Sequence, residues 1–322
     1  MNGKLLVVRN LNVQFFTHAG VVKALNGISL DIERAEVRGL IGETGCGKST
    51  TALSIMRLIQ PPGRITNGKV MFEEEDLLQK SEKQMMKIRG LKISMIFQDP
   101  TSSLNPLLKV GEQIAEGIGF HEGLNKREAM KKAIKMMETV GIPEPSKRAN
   151  DYPHMLSGGM KQRIMIAIAF SCHPSLLIAD EPTTNLDVTM QAQILNEMKT
   201  LQKYFCTAIL LITHNLGVIA QMCNRVGVMY AGRIVEEADT ETLFTRPKHP
   251  YTLGLMKTIP KIKQRVRRLY NIPGFVPNLI HLPPGCSFHP RCQYATEICK
   301  KKVPEDIEVG FRHTVACHNI HE

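Results

Sequence analysis

The sequence predicts an α/β protein built on a largely parallel sheet with helices on both faces. Three observations carry this. The apolar segment Val37-Arg38-Gly39-Leu40-Ile41 runs into the glycine-rich turn Gly42–Ser49 and then into the helix-forming run Ser49–Met56, a strand–loop–helix succession. From Leu176 the chain alternates again: an apolar strand over Leu176–Ala179, a helix over Thr189–Phe205, and a second apolar strand over Ala208–Ile212. Ile93–Phe97 is a further short apolar run, the pattern of a strand buried on both faces.

The remaining elements follow in chain order. Residues 4–40 read as short strands with turns, such as Leu5–Val8 and Gly27–Leu30. Pro61-Pro62-Gly63 marks a turn and Gly68–Phe72 a strand, while the charged stretch Glu73–Arg89 reads as solvated loop and helix. The strand Ile93–Phe97 ends at Gln98-Asp99-Pro100. Residues 107–170 are rich in helix formers, with Met130, Ile134, Met137 and Val140 at helical spacing in Glu128–Val140. This helical segment interrupts the sheet in sequence and is expected to form a lobe of its own. Beyond about residue 240 proline becomes frequent (Pro247, Pro250, Pro260, Pro273, Pro277, Pro283, Pro284) and periodicity fades. No segment repeats, so one copy of the unit is expected.

Composition narrows the possibilities. A chain of 322 residues suits two domains better than one. With 43% hydrophobic residues and no Trp, the core must be aliphatic and Met-rich. A formal charge of +11 suits an anionic ligand, an anionic membrane surface or nucleic acid. The N-terminus lacks a basic-then-apolar signal pattern, and no apolar run approaches the ~18 residues that span a bilayer. A soluble or peripheral protein is expected, with any membrane role supplied by a partner. The basic run Lys261–Arg268 reads first as a solvated linker face and second as a contact for anionic lipid.

The chemistry concentrates in a few places. Gly42-Glu43-Thr44-Gly45-Cys46-Gly47-Lys48-Ser49 fits the phosphate-binding pattern G-x-x-x-x-G-K-[ST], in the strand–loop–helix setting that pattern requires. Its glycines let backbone N–H groups turn inward around phosphate oxygens, and the helix opening at Ser49 and Thr50 points its positive end at them. Lys48 is then placed for the β- and γ-phosphates, and the Ser49 hydroxyl for Mg²⁺. The strand Leu176–Ala179 ends in Asp180 and Glu181. Asp180 is placed to hold Mg²⁺ or its water shell and Glu181 to polarise the attacking water. His214 follows the strand Ala208–Ile212 at a carboxyl end, where ligands of such sheets collect. Gln98 closes another strand, its amide suited to Mg²⁺ and water. Asp187 stands in a turn, where Asp is common for local reasons.

A second motif, Leu156-Ser157-Gly158-Gly159-Met160-Lys161-Gln162-Arg163, makes the pattern specific. Together with the Gly42–Ser49 loop, Gln98, the Asp180-Glu181 strand, Leu186-Asp187 and His214, all in order, it resembles the ATP-binding cassette ATPases. The resemblance implies a phosphate-loop core of mixed sheet and flanking helices, a helical subdomain carrying the signature, and a small Cys-rich extension. It divides the chain into a core with N-terminal β-subdomain (1–98 and 166–240), the helical signature subdomain (99–165) and a C-terminal extension (241–322). It further implies ATP and Mg²⁺ as ligands and a head-to-tail dimer. Each ATP would lie between the Lys48 loop of one subunit and Ser157, Gly158 and Gly159 of the other, with Phe15 stacked on adenine and Phe16 as the fallback.

Tyr152-Pro153-His154, Asp180-Glu181-Pro182-Thr183-Thr184 and Pro247-Lys248-His249-Pro250-Tyr251-Thr252 are similar to the peptide and nickel importer subfamily, as is Pro284–Cys292. Members are peripheral ATPases on the cytoplasmic face under transmembrane permease subunits, fed by an extracytoplasmic binding protein. A second cassette, identical or different, is a further expected partner, and nucleic acid is not. A nickel-importer ATPase remains an alternative. So does a soluble, non-transport cassette, although those carry a long coiled-coil insertion or two fused cassettes, and this chain has neither. A phosphate-loop kinase or GTPase is disfavoured by the signature. Ala35, where relatives carry Gly before Glu36, implies a mildly strained turn. Lys161, Asn185 and Asn215 depart from the family's usual Arg, Ala and Asp.

Of eight cysteines, Cys286-x5-Cys292-x6-Cys299-x17-Cys317 crowd the tail. These spacings are wider than the close pairs of structural zinc sites and suit a [4Fe–4S] cluster at least as well. Some relatives that share this tail hold one. A [4Fe–4S] cluster of structural role is expected, zinc and unmetallated thiols being the alternatives. His289, His313 and His318 are read first as surface residues and second as extra ligands.

Overall fold

The computed structural model describes residues 3–184, 186–258 and 270–320. The basic run Lys261–Arg268 and Asn185 lie outside the described residues. The chain forms two compact units: Met1–Leu5, Ile32–Val37 and Gln79–Ile212 make one, and Leu6–Asp31, Arg38–Leu78 and Thr213–Glu322 the other.

In the first unit, strands Ile93–Ile96, Leu176–Asp180 and Ala208–Ile212 pair in parallel, with Ile93 opposite Leu176 and Leu176 opposite Ala208. The last two are buried at every position, as uninterrupted apolar runs require when both faces are covered. Helices Gly158–Phe170 and Val188–Phe205 carry the expected helical segments almost to the residue. Helices Val110–Glu122 and Lys126–Thr139 pack on each other and on Gly158–Phe170. Lys126–Thr139 starts at a capping box, in which Asn125 and Glu128 each accept the other's backbone N–H. The helical segment thus belongs to the same compact unit as these parallel strands.

The second unit holds a four-stranded sheet in the order Gly20–Glu33, Lys4–Thr17, Gly63–Phe72, Glu75–Asp76. The N-terminal strands are long, not short. A bulge between Arg9 and Val13 breaks the alternation that would have marked Lys4–Thr17 as one strand. The unit also holds a mixed ladder. Val37–Ile41 pairs in parallel with Arg225–Tyr230, which pairs antiparallel with Arg233–Asp239. The tail adds His313–Val315 and Ile307–Gly310 to that edge. Arg38, inside the apolar strand, is fully buried and ion-pairs with Glu237, which also faces Arg225 at 3.5 Å.

Candidate nucleotide site

Strand Val37–Ile41 delivers the phosphate-pattern loop directly. Gly42 (φ +154°) passes so close to the neighbouring strand that a Cβ there would stand 2.2 Å from the Met229 carbonyl oxygen. Gly47 (φ +109°) leads into helix Lys48–Ile55, and a Cβ on it would stand 2.8 Å from the Ala24 carbonyl oxygen. Only glycine fits either position. Lys48 is buried and folds back on its own loop, Nζ donating to Gly42 O at 2.8 Å and Glu43 O at 3.1 Å. Cys46 is buried beneath the loop. Burial pushes its thiol pKa up against the pull of Lys48. Thr44, Gly45 and Ser49 face outward, with Thr50 half-buried behind them. Phe15 is half-buried against Gly63, its register partner, whereas Phe16 is exposed with the Arg64 guanidinium 5.8 Å from its ring centre.

In the first unit, Asp180 closes its strand and is 5% exposed. Glu181 turns into the left-handed region (φ +48°), an uncommon conformation for a side chain of this kind and one that marks functional turns. Its N–H donates to Ile212 O at 2.8 Å, fixing the turn to the adjacent strand. Its Oε2 accepts hydrogen bonds from the Thr184 hydroxyl at 2.9 Å and the Gln98 amide at 3.2 Å. The structure thus brings Gln98 and Glu181 together and adds Thr184, which had stood out only as part of a subfamily motif. Ser157 caps helix Gly158–Phe170, its hydroxyl accepting from Met160 N–H at 3.4 Å. Ser157 and Gly158 are exposed, so the helix start faces solvent with bare backbone. Gly159 is buried against Met190. Asp187 caps helix Val188–Phe205 through Met190 N–H at 2.9 Å. In the other unit His214 is exposed, and Asn215 caps the helix Leu216–Met222.

Residues 25–184 match the family described as ABC transporter, and residues 235–299 match the oligopeptide/dipeptide transporter C-terminal region. A probable peptide ABC transporter ATP-binding protein of Sinorhizobium fredii is 48% identical over 99% of this chain and 96% of its own length. The chain belongs to the ATP-binding cassette transporter family. A dipeptide transport ATP-binding protein of Bacillus subtilis is 46% identical over 98% of this chain and 94% of its own length. An oligopeptide transport ATP-binding protein of Haemophilus influenzae is 49% identical over 92% and 91%. Among solved structures, a dimeric ATP-binding cassette in a post-hydrolysis state with ADP and Pi superposes with TM-score 0.66 at 26% identity, covering 73% of this chain and 98% of that one. The cbiO1 cassette of Clostridium perfringens gives 0.65 at 27%, covering 76% and 92%. The fold is that of a cassette ATPase, and the enzyme is an ATPase.

The cassette's tail does not show the metal centre expected of it. Among the described residues no three His, Cys, Asp or Glu side chains form a group that could hold a metal ion. All four tail cysteines are free thiols. Burial raises the pKa of Cys286, Cys292 and Cys317, the last to about 11. Cys317 Sγ donates to Asn319 O at 3.1 Å, and Thr296 Oγ1 lies 3.3 Å from Cys299 Sγ. Cys317 and Cys299 thus have local polar partners. The four cysteines lie near enough that charge on Cys286, Cys292 or Cys299 would raise the Cys317 pKa further. His313 is not a surface residue: it is buried, with Nε2 2.8 Å from Glu236 Oε1.

The tail also reaches the phosphate loop. Arg291 meets Glu43 in a two-pronged pair, Nη1 donating to Oε2 at 2.8 Å and Nη2 to Oε1 at 3.1 Å. Glu43 N–H donates to the Tyr251 hydroxyl at 2.9 Å. Burial raises the Tyr251 pKa above the ordinary phenol value, and the nearby Glu43 charge raises it further. For Arg291, burial works against the charge, but hydrogen bonds to Glu43 and Tyr230 outweigh it and hold the guanidinium protonated. No local sequence signal could have found this contact between residues 248 positions apart.

Proposed function

We propose that this chain is the ATP-hydrolysing subunit of a membrane importer for di- and oligopeptides. It sits on the cytoplasmic face beneath transmembrane permease subunits and works with an extracytoplasmic binding protein. The carrying observation is that whole-chain similarity to peptide transport ATP-binding proteins extends through the tail, where residues 235–299 match the oligopeptide/dipeptide transporter C-terminal region. ATP binding pairs two cassettes head to tail, and hydrolysis reopens them. A dimeric ADP-bound neighbour supports this. Among the described residues no helix is long and apolar enough to cross a membrane, which fits a subunit that relies on a permease.

Each residue then has a role. Gly42–Thr50, with Lys48, cradle the phosphates, and Ser49, Asp180 and Gln98 hold Mg²⁺ or its waters. Mg²⁺ when bound neutralises charge on the transferring phosphoryl group. Glu181, oriented by Gln98 and Thr184, accepts the proton of the attacking water, and His214 contacts the γ-phosphate. Ser157, Gly158 and Gly159 complete the partner's site, and Asp187, which caps helix Val188–Phe205, adds a further nucleotide contact. Phe15 stacks on adenine, with Phe16 as the fallback. We assign the core to 1–98 with 166–240, the signature subdomain to 99–165 and the tail to 241–322. The test is steady-state hydrolysis by the purified chain and its Glu181→Gln variant. Loss of turnover by about 10²–10⁴-fold with ATP-induced dimers retained is expected. Unchanged hydrolysis would sink the assignment of the base.

A finer proposal concerns the tail thiols. The spacing Cys286-x5-Cys292-x6-Cys299-x17-Cys317 within one tail supports a [4Fe–4S] cluster of structural role, which these four thiolates would hold. Stoichiometric iron and sulfide in an anaerobic, brown preparation is the expected result. A colourless protein carrying zinc would replace the cluster, and a metal-free protein would remove it.

A further inference from the structure

Glu43 places a carboxylate on a loop that has to receive a polyanion. Left alone, that charge would oppose phosphate binding and draw Lys48 away from it. Glu43 is instead held on three sides. Its N–H donates to Tyr251, its carbonyl accepts from Lys48 at 3.1 Å, and its carboxylate is taken by Arg291. Arg291 is itself seated with a side-chain exposure of 6%. Nε donates to Pro273 O at 2.9 Å, Nη2 also to Ile272 O at 3.3 Å, and Nη1 also to the Tyr230 hydroxyl at 3.4 Å. Every guanidinium nitrogen is engaged, in a fork geometry that lysine cannot reproduce. The next residue in the chain is Cys292, so this side chain joins the cysteine-rich tail to the loop.

We propose that Arg291 is a positioning residue for the phosphate-binding loop: paired with Glu43, it cancels the loop's own carboxylate and fixes the loop's shape for a triphosphate. This rests on Gly42–Ser49 being the ATP site. A bolt that only stabilised the tail would act equally on every ligand. A charge-cancelling device acts on phosphates, more strongly as their number rises, and less strongly at high salt.

The experiment measures equilibrium binding of MgATP, MgADP and adenosine to the purified full chain at low and high salt. It uses the parent, Lys48→Ala, Arg291→Ala, Arg291→Lys and Arg291→Ala combined with Glu43→Gln. Arg291→Ala is expected to weaken MgATP binding about ten-fold, MgADP less, and adenosine not at all. Adding Glu43→Gln is expected to recover most of the loss, because the unpaired carboxylate is gone. Should Arg291→Ala fail to fold, Arg291→Lys, which keeps the charge but loses the fork, is expected to bind MgATP more weakly than the parent, MgADP less so and adenosine equally; parent-like MgATP affinity in it would then overturn the proposal. Unchanged MgATP affinity in Arg291→Ala, or a double variant as weak as the single one, would overturn the proposal. Lys48→Ala binding MgATP normally would instead remove the ATP-site assignment beneath it.

Discussion

His249 gives the sharpest test of how the tail motif is built. The residue is 1% exposed and caps helix Pro250–Lys257, its Nδ1 accepting the Tyr251 N–H at 3.0 Å. Its own N–H and that of Lys248 go to the Glu236 carboxylate. Burial lowers its pKa from 6.5 to about 3. Protonation would both charge a buried ring and abolish the cap. The sign follows directly. Below pH 6.5 the unfolded chain binds a proton at this site that the folded chain refuses, so stability falls with pH until the folded group titrates near 3. At about 1.4 kcal/mol per pH unit, the loss attributable to His249 between pH 6.5 and pH 4 is about 3 kcal/mol. The assay is urea unfolding of the parent and His249→Asn from pH 4 to pH 7.5. Asparagine keeps a capping oxygen but cannot titrate. The variant is expected to be about 1–3 kcal/mol less stable at pH 7.5, because it leaves space beside Phe288, and its stability is expected to fall less steeply on acidification. Parallel pH curves for the two proteins would refute both the burial argument and the neutral state of the ring.

Three further outcomes are expected. Thr184→Val removes one hydrogen bond to Glu181, so it should lower kcat about five-fold, the worth of roughly 1 kcal/mol, with nucleotide affinity measured in parallel and unchanged; Gln98→Ala, which also removes a Mg²⁺-site group, should lower kcat further and weaken MgATP binding. Gly42→Ala drives a Cβ against the Met229 carbonyl at φ +154°. Since backbone cannot step aside, unfolding experiments should show a loss of more than about 3 kcal/mol, and ATP binding should disappear with it. Ala35 sits at φ +56°, the strain expected from its alanine, so Ala35→Gly should raise the urea midpoint by the equivalent of about 0.5–1 kcal/mol.

What the sequence made legible was local and strongly patterned. The runs Val37–Ile41, Leu176–Asp180 and Ala208–Ile212 are apolar or buried throughout, and the loop after the first demands glycine at two crowded positions. The Gln98–Glu181 pairing was legible as two strand ends with suitable chemistry. The N-terminal strands looked short because Asn10 and Asn12 stand at the bulge and interrupt the alternation. The tail strands escaped notice because His313–Val315 has three residues, too few for a period to show. His313 read as surface because nothing in its neighbourhood announces Glu236, which lies 77 positions away. Capping roles for Asp187 and Asn215 were equally hidden, since the same residue types serve turns and nucleotide contacts alike.

These long-range contacts bear on how the tail should be probed. A cysteine-rich extension that follows a proline-rich stretch invites deletion, as if it were an appendage. Within its unit it is nothing of the kind. Phe288 packs edge-on against Tyr230 at 5.1 Å and beside Tyr251 at 5.4 Å, and both tyrosines belong to one buried cluster with Val226, Val228 and Leu243. His313–Val315 covers the edge of Arg233–Asp239, and His313 closes the buried Glu236. Removing the tail would therefore expose aromatic core, leave a buried carboxylate short of a partner and open a strand edge, three separate routes to a misfolded or aggregated protein. Such a truncation would lose activity whether or not the cysteines have a role. Only substitutions that spare this packing, such as serine at single cysteines or the paired changes at Arg291 and Glu43, can separate what the tail does for nucleotide binding from what it does for folding.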